Sequence, residues 1–475
     1  MTKFYSDTIV APATIPGTGA ISIIRISGPD CFKATDAIVK LRRGSISSAE
    51  AYTIHFGQIF TNGNRLLDEV LVSVFRAPHS YTGEDSCEIS CHASSFIVSS
   101  ILELLLDSGC RMAEPGEFTK RAYLNGKMDL TQAEAVADVI SSNTSASHRI
   151  AMNQLKGGFS MELSSLREEL LRLTSLLELE LDFSEEDVEF ADRDRLLGLC
   201  GETLDHISKL ADSFKTGNAL KNGVPVAIVG AANAGKSSLL NSLLQEDRAI
   251  VSDIAGTTRD SIEECMTLDG VLFRFIDTAG IRETDEVIER LGIERTFKTI
   301  SSASLVLDVL DSTESEDKIF KDLSSVISLC DFSSQKLFIL LNKVDLLDEL
   351  SLNKIVIDLN KFVLSSNIET LIFKTSAKSG LGLEDVKKAM SASRADRNID
   401  ENTVLVSNIR HYEALKDAAS ALSDVRTSLL NGLPADLVAE DLRRSIRSIN
   451  LILGTDLLTP ETVLHDIFSK HCIGK

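Results

Sequence analysis

The spacing of apolar residues divides the chain into regions of different texture. Residues 1–125 carry short β-branched runs such as DTIVAPAT (7–14), AISIIRISG (20–28) and EVLVSVFRAP (69–78), which predict strands, while SSFIVSSILELLLDSG (94–109) has helical spacing. The stretch PGTGAIS resembles a dinucleotide-binding loop, but the residues behind it predict a strand and not the helix that such a loop opens.

From residue 126 to about 221 the pattern becomes helical, and it contains one regular leucine stripe: Leu163, Leu166, Leu170, Leu173 and Leu177. From 222 to 390 strands and helices alternate, as in doubly wound α/β domains. Helices resume after the polar segment SASRADRNIDENT and continue to 475, where Thr459 before Pro460 predicts the start of the last helix.

These patterns predict a multidomain α+β protein. A small α/β N-terminal domain (1–125) precedes a discontinuous helical domain (126–221 and 391–475), into which a doubly wound α/β domain (222–390) is inserted. The alternative is that the two helical regions form independent bundles.

Composition narrows the class of protein. With 475 residues, 43% of them apolar and 25% charged, the chain fits a globular protein of several domains. It lacks an apolar run of the ~20 residues that a membrane span needs, and its N-terminal residues lack the pattern of a signal peptide. Scattered cysteines favour a reducing compartment, so we expect a cytoplasmic protein, and we disfavour a metal site at Cys87 and Cys91 because no further ligands match their spacing.

The net charge of −21 argues against indiscriminate nucleic-acid binding, because phosphate contacts need a basic surface. It still permits a shaped local site for a structured RNA.

The stretch VAIVGAANAGKSSLLNSLL predicts strand, loop and helix, and its loop matches the phosphate-binding pattern G-x-x-x-x-G-K-S. Gly230 and Gly235 let backbone N–H groups face phosphate oxygens, Lys236 reaches the outer phosphates, and the Ser237 hydroxyl can hold Mg²⁺. The predicted contact residues are Asn233, Ala234, Gly235, Lys236, Ser237 and Ser238.

Two further segments complete a phosphate and magnesium site. FRFIDTAG is a strand that ends at Asp277, which is placed to hold Mg²⁺ through water, and Gly280 offers a backbone donor to the γ-phosphate. The residues of this segment predicted to face the nucleotide are Asp277, Thr278, Ala279 and Gly280. AGTTRD offers Thr258 as a second hydroxyl for Mg²⁺.

LFILLNKVD predicts a base-recognition loop that contains Asn342, Lys343 and Asp345. An aspartate can accept from both N1–H and the exocyclic amine of guanine, a pair of donors that adenine lacks. FKTSAKSG places Ser376, Ala377 and Lys378 beside the base. These motifs, in this order, predict a GTPase.

One position departs from the signalling GTPases. They carry a glutamine after DTAG to orient water, whereas Ile281 stands there in this chain and cannot do so. Either hydrolysis is slow, or the water and the balancing cation are supplied differently.

The segments GTTRD, DTAGIR, IERLGIER, EPGEFTKRAYLNGKMDLTQAEA and the terminal CIGK resemble the tRNA-modifying GTPase family called MnmE or TrmE. The resemblance runs from DTIVAPAT to the last residue. It implies that a potassium ion replaces the arginine finger, with Asn233, Ser252, Ile254 and Thr257 as ligands, and that Glu289 helps to place the attacking water. The loop that wraps the ion and nucleotide is implied to be Ser252, Asp253, Ile254, Ala255, Gly256, Thr257 and Thr258.

The resemblance also implies that the N-terminal domain binds 5-formyltetrahydrofolate or a related reduced folate through Arg25, Glu88, Lys127 and Lys475. Cationic side chains suit the folate glutamate tail, and a carboxylate suits the pterin amide and amine. Without the resemblance, structural roles for Arg25 and Lys127 would be favoured.

The terminal CIGK is a poor prenylation signal, because Gly474 stands where an aliphatic residue is needed and no basic segment precedes it. We expect a tail that reaches the folate and substrate site, where the Cys472 thiol could add to C6 of a uracil ring. A spectator thiol is the alternative.

The resulting functional hypothesis is GTP hydrolysis coupled to modification of C5 of the wobble uridine in certain tRNAs. The resemblance implies a flavoprotein partner of the MnmG/GidA family and a homodimer formed through the N-terminal domains, with no membrane association. The rivals are a ribosome-assembly GTPase, and a folate-dependent aminomethyltransferase with a regulatory G domain.

Overall fold

In a computed structural model of the chain, the described residues are 6–183, 193–247, 264–276, 297, 299–333, 335–366, 368–393, 403–455, 461–469, 471 and 474. They divide into two compact units. The first unit comprises Met1–Ile140, Ala151–Lys209 and Glu413–Lys475, and the second comprises Ser141–Ile150 and Leu210–Tyr412.

The first unit begins with a seven-stranded sheet of order β3-β4-β5-β6-β2-β1-β7. Its elements are β1 (Ile9–Pro12), β2 (Ile21–Ser27), α1 (Cys31–Ile38), β3 (Val39–Leu41), β4 (Thr53–Phe60), β5 (Leu66–Phe75), β6 (Ser86–His92), α2 (Ser95–Asp107), β7 (Arg111–Met112) and α3 (Glu117–Leu124). The predicted strands and the predicted helix α2 are confirmed, and β2 confirms that PGTGAIS does not open a helix.

The two faces of this sheet have different surroundings. Alternate residues of its strands, such as Ile24, Val72 and Ile89, are buried together with residues of α1 and α2. The opposite face keeps large apolar side chains in solvent, with Ile21 66%, Ile54 67%, Phe56 42% and Leu71 47% exposed. Ile54, Phe56 and Leu71 lie on neighbouring strands, since Phe56 pairs with Leu71 in the β4–β5 ladder, whereas Ile21 lies on β2 beyond β6.

Helices follow the sheet: α4 (Leu130–Ser141), α5 (Ser145–Leu155), α6 (Gly158–Phe183), α7 (Arg193–Asp212) and α8 (Phe214–Asn222). The predicted leucine stripe of α6 is buried along its whole length, since Leu163, Leu166 and Leu170 are 0% exposed and Leu173 and Leu177 at most 2%. The 3.6-residue period therefore identified the core face of this helix.

The second unit contains a six-stranded sheet of order β13-β12-β11-β8-β10-β9. Its elements are β8 (Val224–Val229), α9 (Lys236–Asp247), β9 (Glu264–Leu268), β10 (Val271–Phe275), β11 (Leu305–Asp311), α10 (Glu316–Leu329), β12 (Lys336–Asn342), α11 (Glu349–Ser365), β13 (Thr370–Lys374) and α12 (Leu383–Ala392). All the pairings are parallel except β9 with β10. The predicted doubly wound fold is confirmed, and the strand order changes direction beside β8, where ligands bind in such sheets.

The last helices are α13 (Ile409–Leu430), α14 (Ala435–Leu453) and α15 (Glu461–Ser469). Within the first unit, α14 packs against α6, so the two helical regions of the chain pack together as predicted. The predicted helix start at Thr459 and Pro460 lies outside the described residues. In the described part of the chain, no helix combines the length and the apolar character that crossing a bilayer requires.

Candidate functional site

The phosphate-binding loop connects β8 to α9 at the centre of the second unit's sheet. Gly230 and Gly235 have φ angles of +139° and +100°, which residues with a Cβ rarely adopt. A Cβ on Gly230 would also lie 2.2 Å from the Val309 carbonyl oxygen of β11. The loop therefore starts in direct contact with the neighbouring strand, and the N-terminus of α9 follows it as an anion site.

Lys236 is folded onto this loop. Its Nζ donates to the carbonyl oxygens of Gly230 at 2.9 Å and Ala231 at 2.8 Å. Burial lowers the pKa of Lys236, and the charge of Asp308 acts in the opposite direction. The lysine is thus held at the loop by weak neutral acceptors, which the oxygens of a phosphate would replace with stronger ones.

Asn342 ties the base-recognition loop to the phosphate loop. Its Nδ2 donates to the Ala234 carbonyl at 2.8 Å, and its Oδ1 accepts from the Ala377 N–H at 2.9 Å. The Ser242 hydroxyl of α9 donates to the Ala377 carbonyl at 2.7 Å. A Cβ on Gly235 would lie 2.2 Å from Asn342 Nδ2, so the glycine is needed for this approach.

Lys343 and Asp345 continue the base-recognition loop. Lys343 has φ +64°, and its Nζ donates to Asp311 Oδ2 at 2.6 Å. Burial would raise the pKa of Asp311, but the bonds from Lys343 and Thr313 together outweigh it and hold this pKa below its usual range. Asp345 lies in a short helical turn (Val344–Leu346), and this turn is fixed by a bond of 3.2 Å from the Val344 N–H to the Thr375 carbonyl. The turn thus adjoins the segment of Ser376, Ala377 and Lys378.

Several predicted site residues lie outside the described residues: Ser252, Asp253, Ile254, Ala255, Gly256, Thr257, Thr258, Asp277, Thr278, Ala279, Gly280, Ile281, Glu289, Cys472 and Lys475. Of the predicted cation ligands, Ser237 lies in the first turn of α9, and Asn233 is exposed in the loop with φ +63°. Both carry the oxygen atoms that Mg²⁺ and K⁺ prefer, which fits the predicted use of these positions.

In the first unit, Arg25 and Glu88 face each other on paired positions of β2 and β6. Arg25 Nε donates to Glu88 Oε1 at 2.9 Å, and the guanidinium also contacts this oxygen at 2.8 Å. Arg25 Nη1 donates to the Gly474 carbonyl at 3.2 Å, a contact across 449 positions of the chain. A Cβ on Gly474 would lie 2.1 Å from the Pro12 carbonyl, so Gly474 packs closely on β1.

Lys127 lies between α3 and α4 and contacts the loop that joins β5 to β6. Its Nζ donates to the Pro78 carbonyl at 3.0 Å, and the methylene groups of its side chain lie beside Gly83. Pro78 and Gly83 belong to the loop between β5 and β6, which also carries Tyr81, whose ring centroid lies 5.2 Å from the Arg25 guanidinium. Arg25 therefore contacts both Glu88 and the Gly474 carbonyl directly, and Lys127 contacts the β5–β6 loop that carries Tyr81.

Sequence reasoning missed Tyr81 and the ion network behind it. Burial raises the pKa of Tyr81, whose hydroxyl lies 2.8 Å from the Thr119 hydroxyl. The fully buried Arg121 guanidinium bonds to Asp7 at 2.9 Å, to Glu117 at 3.0 Å and to Glu84 at 3.3 Å. The apolar spacing of α3 does not predict that Arg121 is buried, because Asp7 and Glu84, which pair with it, come from distant segments of the chain.

Glu117 also accepts from Arg111 at 2.6 Å. Burial would raise the pKa of Glu117, but the bonds from Arg111 and Arg121 hold it below its usual value. Arg121 anchors the loop of residues 82–84 through Glu84. The Ser27 hydroxyl holds the same loop through contacts with Thr82 at 2.7 Å and Glu84 at 2.8 Å. The ion network therefore supports the loop on which Tyr81 stands.

Comparison with known proteins covers the whole chain. Residues 8–127 match the family model described as the GTP-binding protein TrmE N-terminus, and residues 130–472 match that of the MnmE helical domain. A Bacteroides fragilis (strain YCH46) protein named tRNA modification GTPase MnmE is 49% identical over 99% of both chains. Proteins of the same name from Porphyromonas gingivalis and Cytophaga hutchinsonii are 47% and 45% identical, covering 100% and 99% of this chain and 99% and 98% of their own lengths.

Proposed function

Because the chain belongs to the MnmE family of tRNA modification GTPases, we propose that it couples GTP hydrolysis to modification of C5 of the wobble uridine in certain tRNAs. The added group is of the carboxymethylaminomethyl type, and its one-carbon unit comes from a reduced folate. A flavoprotein of the MnmG/GidA family is the partner, and the reaction takes place in the cytoplasm.

In this proposal Asp345 reads guanine through its N1–H and amine, while Lys343 and the segment Ser376–Lys378 flank the base. The support is the hydrogen-bonded frame in which Asn342 joins Ala234 to Ala377. This frame positions the base-recognition loop relative to the phosphate loop. Ser237 and Thr258 hold Mg²⁺ directly, and Asp277 does so through water.

A potassium ion supplies the positive charge that an arginine finger supplies in other GTPases. Its proposed ligands are Asn233, Ser252, Ile254 and Thr257, with Glu289 placing the attacking water. The supporting observations are the isoleucine at position 281 and the exposed Asn233 side chain in the loop.

The observation that carries the folate part is the contact of Arg25 with both Glu88 and the Gly474 carbonyl. It brings one cation, one carboxylate and the tail into one place beside the half-buried ring of Tyr81. Since Oε1 of Glu88 faces Arg25, we assign Oε2 to the pterin amide and amine of 5-formyltetrahydrofolate. Lys127 and Lys475 are assigned to the folate glutamate tail.

In this proposal Cys472, which precedes Gly474 by two residues, acts at this site. A thiolate that adds to C6 of uracil makes C5 nucleophilic toward the one-carbon unit. The neighbouring His471 fixes the approach of the tail, since its ring nitrogens lie 3.1 Å from the Ile467 carbonyl and 3.0 Å from the Ala133 carbonyl.

We further propose a homodimer through the N-terminal sheet. One face of this sheet exposes Ile54, Phe56 and Leu71 on the adjacent strands β4 and β5, and Ile21 on β2 beyond β6. Such contiguous apolar surfaces mark protein interfaces in soluble chains. A second copy of the chain would bury this face.

The decisive experiment is nucleoside analysis of tRNA from a strain that lacks the gene and from strains that carry the parent or the Arg25→Ala variant. Loss of the modified wobble uridine without the gene, and failure of Arg25→Ala to restore it, are the expected results. Normal tRNA composition with defective ribosome assembly would favour the first rival function. Normal tRNA with altered methylation or aminomethylation of a protein would favour the second.

A further inference from the structure

Asp308 belongs to none of the nucleotide-binding motifs of the sequence. Asp308 lies on β11 opposite Val229, the last residue of β8 before the phosphate loop. Its neighbour Val309 is the residue whose carbonyl approaches Gly230. Asp308 is therefore on the strand that supports the start of the phosphate loop.

The surroundings of Asp308 are apolar. Val306 and Leu310, which lie two residues before and after it, pack in one core cluster with Ile319 and Leu323 of α10. Because side chains two apart on a strand share a face, Asp308 points toward this cluster. It is 0% exposed, and within the described part of the chain neither carboxylate oxygen has a hydrogen-bond partner.

Three described groups act electrostatically on Asp308 or respond to it. Burial raises the pKa of Asp308 to about 8, the charge of Asp322 on α10 adds to this, and Lys236 opposes it. Burial likewise raises the pKa of Cys330, which follows α10, to about 11, and Asp308 contributes to this shift. The side chains of β12 and α11 in the same cluster, such as Ile339, Ile355 and Leu359, are apolar.

We propose that Asp308 is a positioning residue that links proton binding to nucleotide binding. Above about pH 8, where Asp308 of the nucleotide-free protein is mostly ionised, Lys236 is its counter-charge. When a nucleotide binds, its phosphates engage Lys236 and add negative charge near the carboxylate, so Asp308 takes one proton from solvent onto an Oδ atom. Lys236 remains an ammonium ion throughout.

The physical reason is the low polarity of the site. An unpaired carboxylate is costly in an apolar core, and a second anion nearby raises this cost. Because linkage is reciprocal, a nucleotide that raises the proton affinity of Asp308 must itself bind more weakly where Asp308 is ionised. The inference concerns GTP and GDP binding only and does not depend on the chemistry at uridine.

The test uses the full chain with saturating Mg²⁺. Affinity for a fluorescent GDP analogue is measured from about pH 7 to about pH 9, and calorimetry near pH 8 in buffers of different protonation enthalpy counts the protons exchanged. The parent should take up a fraction of a proton, and its affinity should fall about threefold to tenfold over this range. In Asp308→Asn, and in Asp308→Leu, which loses the polar atoms altogether, both effects should fall to the background that titration of the nucleotide itself produces.

Further variants separate this effect from the titration of guanine and phosphate, which is the same for every protein. Asp322→Asn should move the transition to lower pH, because it removes a charge that opposes ionisation of Asp308. The matched control Asp358→Asn, on α11, should behave as the parent. If Asp308→Asn or Asp308→Leu keeps the parent's pH dependence and proton uptake, the proposal is wrong. An unmoved transition in Asp322→Asn would also overturn it, and this surface variant does not depend on a core substitution being tolerated.

Discussion

Replacing Asp308 by leucine should stabilise the nucleotide-binding unit, although the residue lies at its centre. Burial raises the pKa of this carboxyl from 3.8 to about 8. Each unit of difference is worth ~1.4 kcal/mol, so ionisation costs the folded state up to ~6 kcal/mol above pH 8. Leucine is apolar and branches at the same atom as aspartate, and with local relaxation around its larger side chain we expect a gain of about 2–4 kcal/mol at pH 8.

The sign of the pH dependence follows from proton counting. Between the unfolded pKa of 3.8 and the folded pKa of about 8, the folded state holds a proton that the unfolded state has released. The contribution of Asp308 to stability therefore falls as pH rises through this window and is constant above it. The advantage of the leucine variant should grow from about pH 5 to about pH 8, by at most ~1.4 kcal/mol per pH unit.

Scanning calorimetry of the full chain measures this directly, and the transition that GDP raises identifies the nucleotide-binding unit. A gain of about 3 kcal/mol corresponds to a rise in Tm of roughly 6–12 °C. Asp308→Asn should gain less than Asp308→Leu, because its amide stays buried without partners. An equal gain at pH 5 and pH 8, or a less stable leucine variant at both, would refute the assignment of a raised pKa.

Four further outcomes are expected. Asp345→Asn should shift nucleotide preference from guanosine to xanthosine triphosphate, and unchanged GTP affinity in a competition assay would contradict the base-recognition role. Replacing K⁺ by Na⁺ at constant ionic strength should slow phosphate release at least about tenfold with little change in GTP affinity, a response that Asn233→Ala should lose. Arg25→Ala should abolish calorimetric binding of 5-formyltetrahydrofolate, whereas GTP turnover, measured as the control, should be retained. Cys472→Ser should keep GTP turnover and reduce the modified uridine in tRNA, and normal modification would remove the thiol from the mechanism.

Local patterns in the sequence predicted most of the fold. The leucines of α6 repeat at the helical period, so their burial could be inferred from spacing alone. The doubly wound class of the second sheet followed from the alternation of strands and helices. In both cases neighbouring residues carry the information.

The remaining features depend on residues that are distant in sequence. The Arg25–Gly474 contact joins opposite ends of the chain, and the resemblance to a family rather than any pattern suggested it. Asp308 did leave a local signal, since one acid interrupts the apolar run LVLDVL, but the absence of partners within the described core becomes evident only in three dimensions. The left-handed backbone of Lys343 likewise has no marker in its side-chain type.

Asn342 and Gly235 impose a joint constraint on how this site can evolve. The Asn342 side-chain amide donates to Ala234 of the phosphate loop and accepts from Ala377 beside the base. It lies so close to the phosphate loop that a Cβ at position 235 would collide with it. The glycine of the phosphate motif thus also serves the loop that selects the base. A lineage that changed its preferred base by remodelling this loop would have to accommodate the phosphate loop at the same time. We therefore expect libraries that vary position 342 to retain glycine at position 235, because its φ of +100° would strain any other side chain even without the collision.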